Sequence, residues 1–208
     1  MALKTVYVEI QGVSPLIINR FKEESEIPVK VTKGKKDYGT PKHQAELTAY
    51  CEEPRKPMSK LWIPTSWLTG CIKSVASDYK IPGKRKSFKS VCGGAVLPTE
   101  ELSYFLEGYK LKHIEVDSRP VVIQGKDRIM RHRAKLNDWN LGFNLEIDTE
   151  IVDLPYVKQI LEDAGRRAGM GDYRPAKSGP FGRFMVTEFK ETTQRGRTYR
   201  KKKVKKVR

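Results

Sequence analysis

The sequence contains few of the residues on which secreted, metal-binding and membrane proteins depend. Its three cysteines, Cys51, Cys71 and Cys92, are odd in number and lack the close pairing of a metal site, so we expect reduced thiols and a cytoplasmic protein. No apolar run reaches the length of a membrane span, and the first ten residues alternate like a strand instead of forming a signal-peptide core. A GxxxxGK(S/T) phosphate loop is also missing. The sequence therefore predicts no cofactor, no metal ion and no membrane partner.

Acidic residues are scarce relative to basic ones. The 208 residues include 41 Lys and Arg against 25 Asp and Glu, which gives a formal charge of +16. The final stretch, QRGRTYRKKKVKKVR, holds nine cations and no acid, so the rest of the chain, with 32 cations and 25 acids, still carries +7. Such an excess attracts polyanions, and a run of like charges stays disordered until an anion neutralises it. We therefore expect a nucleic-acid partner and a disordered basic tail over residues 191–208.

Hydrophobic periodicity predicts an α+β fold. Period-two alternation indicates strands, and apolar residues at helical spacing indicate two helices, the second with Gly165 at its C-terminal stop. The strands are expected at 5–12, 139–147 and 183–189, and the helices at 63–80 and 155–164. With one further strand between the first helix and residue 139, the order becomes βαββαβ, which is that of the ferredoxin-like or RNA-recognition-motif-like fold.

Two stretches read as insertions into this order. Residues 20–60 are charged and contain prolines, so we expect an arm and not a core element. Residues 80–136 include a short strand candidate at 93–97 and two or three further strands, with a hairpin turn at Gly125 and Lys126. The interpretation is a single domain over residues 1–190 that carries both insertions.

The segment GRRAGMGDYRPAKSGPFGRF, from Gly165 to Phe184, combines five glycines, two prolines and four arginines. Glycines permit positive φ and close backbone approach, which would leave N–H groups facing an anion, with cationic side chains around them as a phosphate cradle. Alternatively, the glycines only form tight turns and the arginines are solvated. The predicted cradle residues are Arg166, Arg167, Gly169, Gly171, Tyr173, Arg174, Lys177, Gly179 and Arg183.

Two further basic clusters fit a bound strand. The first, PGKRKSFKS, contains no acid, and the second, RIMRHRAK, places most of its cations on one side of an alternating strand. The alternative for the second is a solvated edge strand protected by its charge. Two aromatic residues, Phe88 and Tyr173, lie among the cations and are predicted to stack on unpaired bases. The cluster residues are Lys84, Arg85, Lys86, Phe88 and Lys89, followed by Arg128, Arg131, Arg133 and Lys135.

The two helices and the glycine-rich segment resemble the RAMP superfamily of CRISPR effector components. IPTSWLTGCIKSVASDY is similar to the Ile-Pro, hydroxyl-residue and glycine pattern that opens the first helix of that family, and AGRRAGMGDYRPAKSGPFGRFMV resembles its glycine-rich loop before the last strand. The backbone subunits that coat guide RNA are the most similar group, and some phage-encoded chains have similar endings.

The resemblance implies a non-enzymatic protein that binds single-stranded RNA or DNA along its backbone. It also implies copies arranged side by side in a filament or multi-subunit complex, inside a prokaryotic cell or a phage-infected host. A third possibility, independent of the resemblance, is a structural basic protein that binds mainly through its tail.

The histidines provide an alternative from another class. RAMP-type endoribonucleases use a histidine as general base, and the resemblance assigns that role here to His132, between two arginines, or to His43. Asp172 is expected either to coordinate a metal, as an aspartate does in subunits that cut target RNA, or to act as a turn former or a partner of Arg174. Binding without catalysis is the main prediction.

Overall fold

The computed structural model describes residues 3–21, 30–32, 35–37, 39–123 and 127–192. The predicted tail beyond residue 192 and the predicted turn at Gly125 and Lys126 lie outside these ranges. In chain order the elements are β1 (Leu3–Gly12), β2 (Leu16–Ile18), β3 (Lys30–Thr32), β4 (Lys35–Asp37), α1 (Pro41–Thr48), β5 (Trp62–Pro64), α2 (Ser66–Val75), α3 (Cys92–Ala95), β6 (Val96–Pro98), β7 (Leu102–Tyr104), β8 (Glu115–Ile123), β9 (Asp127–Leu136), β10 (Asn140–Asp148), α4 (Leu154–Asp163) and β11 (Phe184–Thr192).

The central sheet has four strands in the order β11-β1-β10-β6, and all neighbours are antiparallel. Helix α2 lies in the connection from β1 to β6, and α4 lies in the connection from β10 to β11. Each connection skips one strand, which is the arrangement of a ferredoxin-like fold. The predicted α+β fold with a βαββαβ core is confirmed.

The core forms because one face of the sheet is apolar at every second residue. The inward side chains of β1 and β10 are at most 1% exposed, and they pack in one cluster with the apolar stripes of α2 and α4. Burial of each such side chain stabilises the fold by about 1.5–3 kcal/mol. The inward strand residues are Val6, Val8, Ile10, Leu141, Phe143, Leu145 and Ile147.

Helix α4 begins as predicted but ends differently. The Asp153 carboxylate caps its first turn by accepting from the Tyr156 N–H at 3.0 Å. Gly165 is not the stop, because the chain continues through a π turn over residues 164–168 and reverses at Gly169, where φ is +67°. Gly165 has another role: a Cβ there would lie 2.3 Å from the Phe184 carbonyl oxygen.

A second sheet, in the order β2-β9-β8, lies beside the first. Strands β8 and β9 form the predicted hairpin, paired from Glu115 opposite Lys135 to Ile123 opposite Asp127. Helix α1 packs against β9 and β8, and the Thr48 hydroxyl accepts from the Ala134 N–H at 2.8 Å.

Parts of both predicted insertions belong to the folded core. Ala49 and Cys51, within residues 20–60, are at most 8% exposed and join the main hydrophobic cluster, which corrects the expectation of an arm for that part of the stretch. The stretch 80–136 contains β6, a strand of the central sheet. The strand candidate at 93–97 is also corrected, since its first residues form the helical turn α3.

No helix within the described ranges is long and apolar enough to cross a membrane.

Candidate nucleic-acid interface

The glycine-rich segment, residues 165–183, is hydrogen-bonded to β2 and to the turn that precedes it. The Gly182 N–H donates to the Pro15 carbonyl at 2.8 Å, and the Asp172 N–H donates to the Ile17 carbonyl at 2.9 Å. Within the segment, the Met170 N–H donates to the Gly182 carbonyl at 2.8 Å. The predicted row of amides facing an anion is therefore wrong at Gly182. It is also wrong at Gly169 and Gly179, whose N–H groups donate to the carbonyls of Ala164 and Arg174 at 2.9 and 3.0 Å.

The glycines of the segment serve close packing. Gly169, Gly171 and Gly182 have φ between +67° and +76°, where side chains other than glycine are strained. At Gly182 an added Cβ would lie 1.8 Å from the Met170 carbonyl oxygen, and at Gly179 it would lie 1.9 Å from that of Tyr173. The alternative interpretation, that the glycines make tight turns, therefore holds.

The segment is also tied to α2. The Cys71 thiol donates to the Gly169 carbonyl at 2.7 Å, and burial raises the pKa of this thiol to about 12. All three cysteines are buried and unbridged. Cys71 therefore stays protonated and acts as a hydrogen-bond donor that joins the helix to the segment.

The two arginines at the start of the segment are engaged by carboxylates of the same protein. Arg166 contacts Asp163 at 2.5 Å, and Arg167 contacts Asp163 at 3.2 Å and also pairs with Asp78. A hydrogen bond from the Tyr79 hydroxyl, followed by those from the two arginines, lowers the pKa of the Asp163 carboxyl. The hydrogen bond to Asp78 raises the pKa of Arg167. These contacts join the C-terminal ends of α2 and α4.

Arg133 lies inside the protein and not on an exposed row of cations. It is 5% exposed and contacts Asp117 at 3.0 Å and Asp172 at 2.7 Å. The strand alternation does place Arg131 and Arg133 on one face, but the glycine-rich segment covers that face at Arg133. The predicted phosphate contact by Arg133 is therefore wrong. The expected partner of Asp172, a metal ion or Arg174, is also corrected, because its carboxylate pairs with Arg133.

The other predicted cations of this region differ in exposure. Arg174 is half-buried and donates to the Gly171 carbonyl at 2.9 Å. Lys135 pairs with Glu115 at 2.9 Å, and this pairing lowers the pKa of Glu115. Exposed side chains for which the described residues supply no ion pair are Arg128, Arg131, Lys177 and Arg183.

The loop after α2, residues 80–89, presents its cations to solvent. Its backbone is held by the Ile81 N–H, which donates to the Lys86 carbonyl at 2.9 Å, and by the Phe88 N–H, which donates to the Tyr79 carbonyl at 2.8 Å. Phe88 is fully buried with its ring 6.4 Å from that of Tyr156, so the predicted base stacking by Phe88 is wrong. Lys84, Arg85, Lys86 and Lys89 are exposed, and no carboxylate of the described chain pairs with them.

Sequence reasoning missed Arg119. Its Cζ lies 4.5 Å from the ring centroid of Phe181 and 5.4 Å from that of Tyr173. The Arg119 Nε donates to Asp117 at 2.7 Å. Alternation along β8 places Arg119 on the face of Asp117, but nothing in the sequence indicated that the glycine-rich segment covers that face.

His132 and His43, the two predicted general bases, each take part in a hydrogen bond within the protein. His132 on β9 makes a 2.7 Å hydrogen bond between its Nδ1 and the Ser118 hydroxyl on β8. His43 lies in the first turn of α1, where its N–H donates to Thr40. Across the described residues, no group of three or more His, Cys, Asp or Glu side chains is placed to hold a metal ion.

A surface cleft of about 520 Å³ lies between α4 and the edge strand β11. Phe184, Met185 and Val186 of β11 and the carboxylates Glu162 and Asp163 of α4 line it, and the two ends of the glycine-rich segment contribute Arg166 and Arg183. The cleft is the one place where the tertiary structure brings these two predicted site residues together within the described chain.

Comparison with known proteins identifies the fold. No protein-family model and no curated protein matches the sequence. The chain is similar to one in the cryo-EM structure of the Type III-B Cmr-beta bound to cognate target RNA, with 13% identity and a TM-score of 0.56 over 91% of this chain. The two chains therefore share a similar fold. This chain covers 60% of that one, and at such identity the likeness concerns the fold alone.

Two weaker structural similarities were found. Cmr6 from Pyrococcus furiosus has a TM-score of 0.49 at 12% identity, covering 89% of this chain and 99% of that one. A chain of a CRISPR RNA-guided surveillance complex has a TM-score of 0.33 at 11% identity, covering 86% of this chain and 66% of that one. The predicted likeness to phage-encoded chains stays a prediction.

Proposed function

We propose that the protein binds single-stranded nucleic acid, with RNA favoured over DNA, along its phosphate backbone as a non-catalytic subunit of a RAMP-type complex. The observation that carries the proposal is the set of exposed cations without carboxylate partners in the described chain. They are Lys84, Arg85, Lys86, Lys89, Arg128, Arg131, Lys177 and Arg183. Cations that are already neutralised within the protein gain little from a phosphate, whereas these retain their full charge for one.

The fold supports the choice of RNA. The Type III-B Cmr-beta structure, to which this chain is similar, is described as bound to cognate target RNA. Flexible single strands can follow cations on separate loops, because their backbone is not constrained to duplex geometry. We extend the proposal to copies that lie side by side along one strand, which electron microscopy of the protein mixed with RNA would display as regular filaments.

The loop after α2 provides the test. Replacing Lys84, Arg85 and Lys86 by Gln removes three unpaired charges without touching a buried residue. Affinity falls as salt rises, so the slope of log affinity against log salt is negative. Each lost phosphate contact is expected to make that slope less steep by about 0.7, or by about 2 in total. Fluorescence anisotropy with labelled single-stranded RNA, over a series of salt concentrations, measures this slope. An unchanged slope would contradict the proposal, and tighter binding of DNA than of RNA would reverse its substrate preference.

A catalytic function has one observation in its favour. The Ser118 hydroxyl holds the Nδ1 of His132 at 2.7 Å, which orients the ring of a general base. The same labelled RNA, incubated with the protein in EDTA and analysed on a denaturing gel, separates the two functions. Cleavage that His132→Ala removes would replace the non-catalytic proposal, whereas intact RNA agrees with it.

A further inference from the structure

Arg119, Tyr173 and Phe181 form a cluster in which a guanidinium lies against two rings. The ring centroids of Tyr173 and Phe181 are 6.0 Å apart and their planes are tilted by 38°. The Arg119 Cζ is within 5.4 Å of both centroids, a distance at which a cation is attracted to an aromatic face. The cluster therefore joins β8 to the glycine-rich segment.

The members of this cluster differ in exposure. Phe181 is 8% exposed, whereas Tyr173 and the Arg119 side chain are each 38% exposed. Phe181 is therefore the buried support, and two planar groups remain accessible from solvent. Unpaired bases stack on aromatic rings and on arginine guanidinium planes.

Tyr173 occupies its position at a conformational cost. Its φ is +50°, in the left-handed region, which is strained for a residue with a side chain. Gly179 packs directly beside it, since a Cβ there would lie 2.7 Å from the Tyr173 Cγ. An asparagine or glycine would form the same turn with less strain, so the turn itself does not explain a tyrosine. Strain of this kind is concentrated at functional sites.

A network of charged groups fixes the orientation of the cluster. Asp117 accepts from the Arg119 Nε at 2.7 Å and from Arg133 at 3.0 Å. Arg133 also donates to Asp172 at 2.7 Å, and the other carboxylate oxygen of Asp172 accepts from the Tyr173 N–H at 2.9 Å. Arg133 is therefore a positioning residue for both Arg119 and Tyr173. A preorganised site loses less conformational entropy on binding.

Exposed cations flank the cluster. Arg131 lies directly opposite Arg119 in the β8–β9 register, so both side chains are on the same face of the hairpin. Lys177 is exposed four residues after Tyr173. The carboxylates of Asp117 and Asp172 are already paired with arginines, so they repel an approaching phosphate less. The planar groups are therefore placed to stack on a base, and the unpaired cations are placed to contact its adjoining phosphates.

We infer that Arg119 and Tyr173 form a stacking site for one unpaired base of the bound strand. The inference rests on the proposed function, because it assigns a base contact to a strand that is held by its backbone. A paired base in a duplex has no free face, so the site favours single strands.

The test compares two oligomers of equal length. One is single-stranded oligouridine, and the other carries tetrahydrofuran abasic residues on the same phosphate repeat. Tyr173→Asn removes the ring, and asparagine tolerates the left-handed conformation, so folding is retained and is checked by thermal melting. We expect this variant to bind oligouridine about 5- to 150-fold more weakly and to bind the abasic oligomer unchanged. Arg119→Lys, which keeps the charge without the plane, is expected to shift binding in the same direction.

Two controls refine this test. Tyr173→Phe keeps the ring and should bind oligouridine like the wild type. Tyr104→Ala removes an exposed tyrosine on β7, outside the cluster, and should change neither affinity. Equal weakening of both oligomers by Tyr173→Asn would overturn the stacking site while the backbone-binding proposal stands. A wild-type protein that binds neither oligomer would overturn both.

Discussion

The glycine-rich segment, residues 165–183, and the loop after α2, residues 80–89, each contain five cations but use them differently. In the first, Arg166 and Arg167 pair with carboxylates and Arg174 donates to a carbonyl. In the second, all the cations from Lys84 to Lys89 are exposed without an ion pair in the described chain. The number of arginines in a segment therefore does not predict how many are available to a phosphate.

The difference follows from where each segment lies in the fold. The glycine-rich segment connects α4 to β11, and its first two arginines lie within reach of the carboxylates of Asp163 in α4 and Asp78 just after α2. The loop after α2 extends past the end of its helix and is held mainly by backbone bonds and by the buried ring of Phe88. Internal contacts engage three of the five cations of the glycine-rich segment, whereas the four cations from Lys84 to Lys89 have no carboxylate partner in the described chain.

The largest effect is expected from Gly182→Ala, which tests whether the glycine-rich segment is structural. The added Cβ would lie 1.8 Å from the Met170 carbonyl at a φ of +70°, so the backbone must move. We expect the free energy of unfolding to fall by about 4 kcal/mol in urea denaturation.

Gly70→Ala is the matched control for that change. Gly70 lies in α2 with an ordinary φ and with nothing within 4 Å of an added Cβ. It should raise stability by roughly 0.5–1 kcal/mol, because alanine favours a helix more than glycine does. Equal effects of the two substitutions would contradict a structural role for Gly182.

The second-largest effect is expected from Arg133→Ala. It compares the buried Arg133 with the exposed Arg131 on the same face of β9. Removing it leaves two carboxylates without their shared partner, so we expect a loss of about 3 kcal/mol in the free energy of unfolding. Arg131→Ala is the matched control and should stay within about 0.5 kcal/mol of the wild type, because its side chain is exposed. A small loss for Arg133→Ala would show that the Asp117 and Asp172 contacts do not hold the segment.

The smallest effect is expected when the paired arginines are neutralised. Arg166→Gln with Arg167→Gln removes two charges that already contact Asp163 and Asp78. We expect the salt slope of RNA binding to change by less than half of the change that the Lys84, Arg85 and Lys86 substitutions cause. Anisotropy titrations of both variants in parallel measure the ratio. A larger change for the arginine pair would reverse the comparison between the two segments.

The order of strands and helices could be predicted from the sequence, because it follows from local periodicity. The alternation of β1 and β10 and the stripe on α4 all appear where expected. Helix α1 could not be predicted, because its eight residues contain few apolar side chains and lie in a charged stretch. Its stability comes from packing on β9, which sequence periodicity does not report.

Among the predicted site residues, the sequence alone determined which segments are basic and rich in glycine. The tertiary structure decided which of their residues can reach a partner. Phe88 and Arg133 became buried because distant elements cover them, and Arg119 joined Tyr173 because β8 lies under the glycine-rich segment. Charge and periodicity are properties of neighbouring residues along the chain, whereas burial and pairing depend on contacts between residues far apart in sequence.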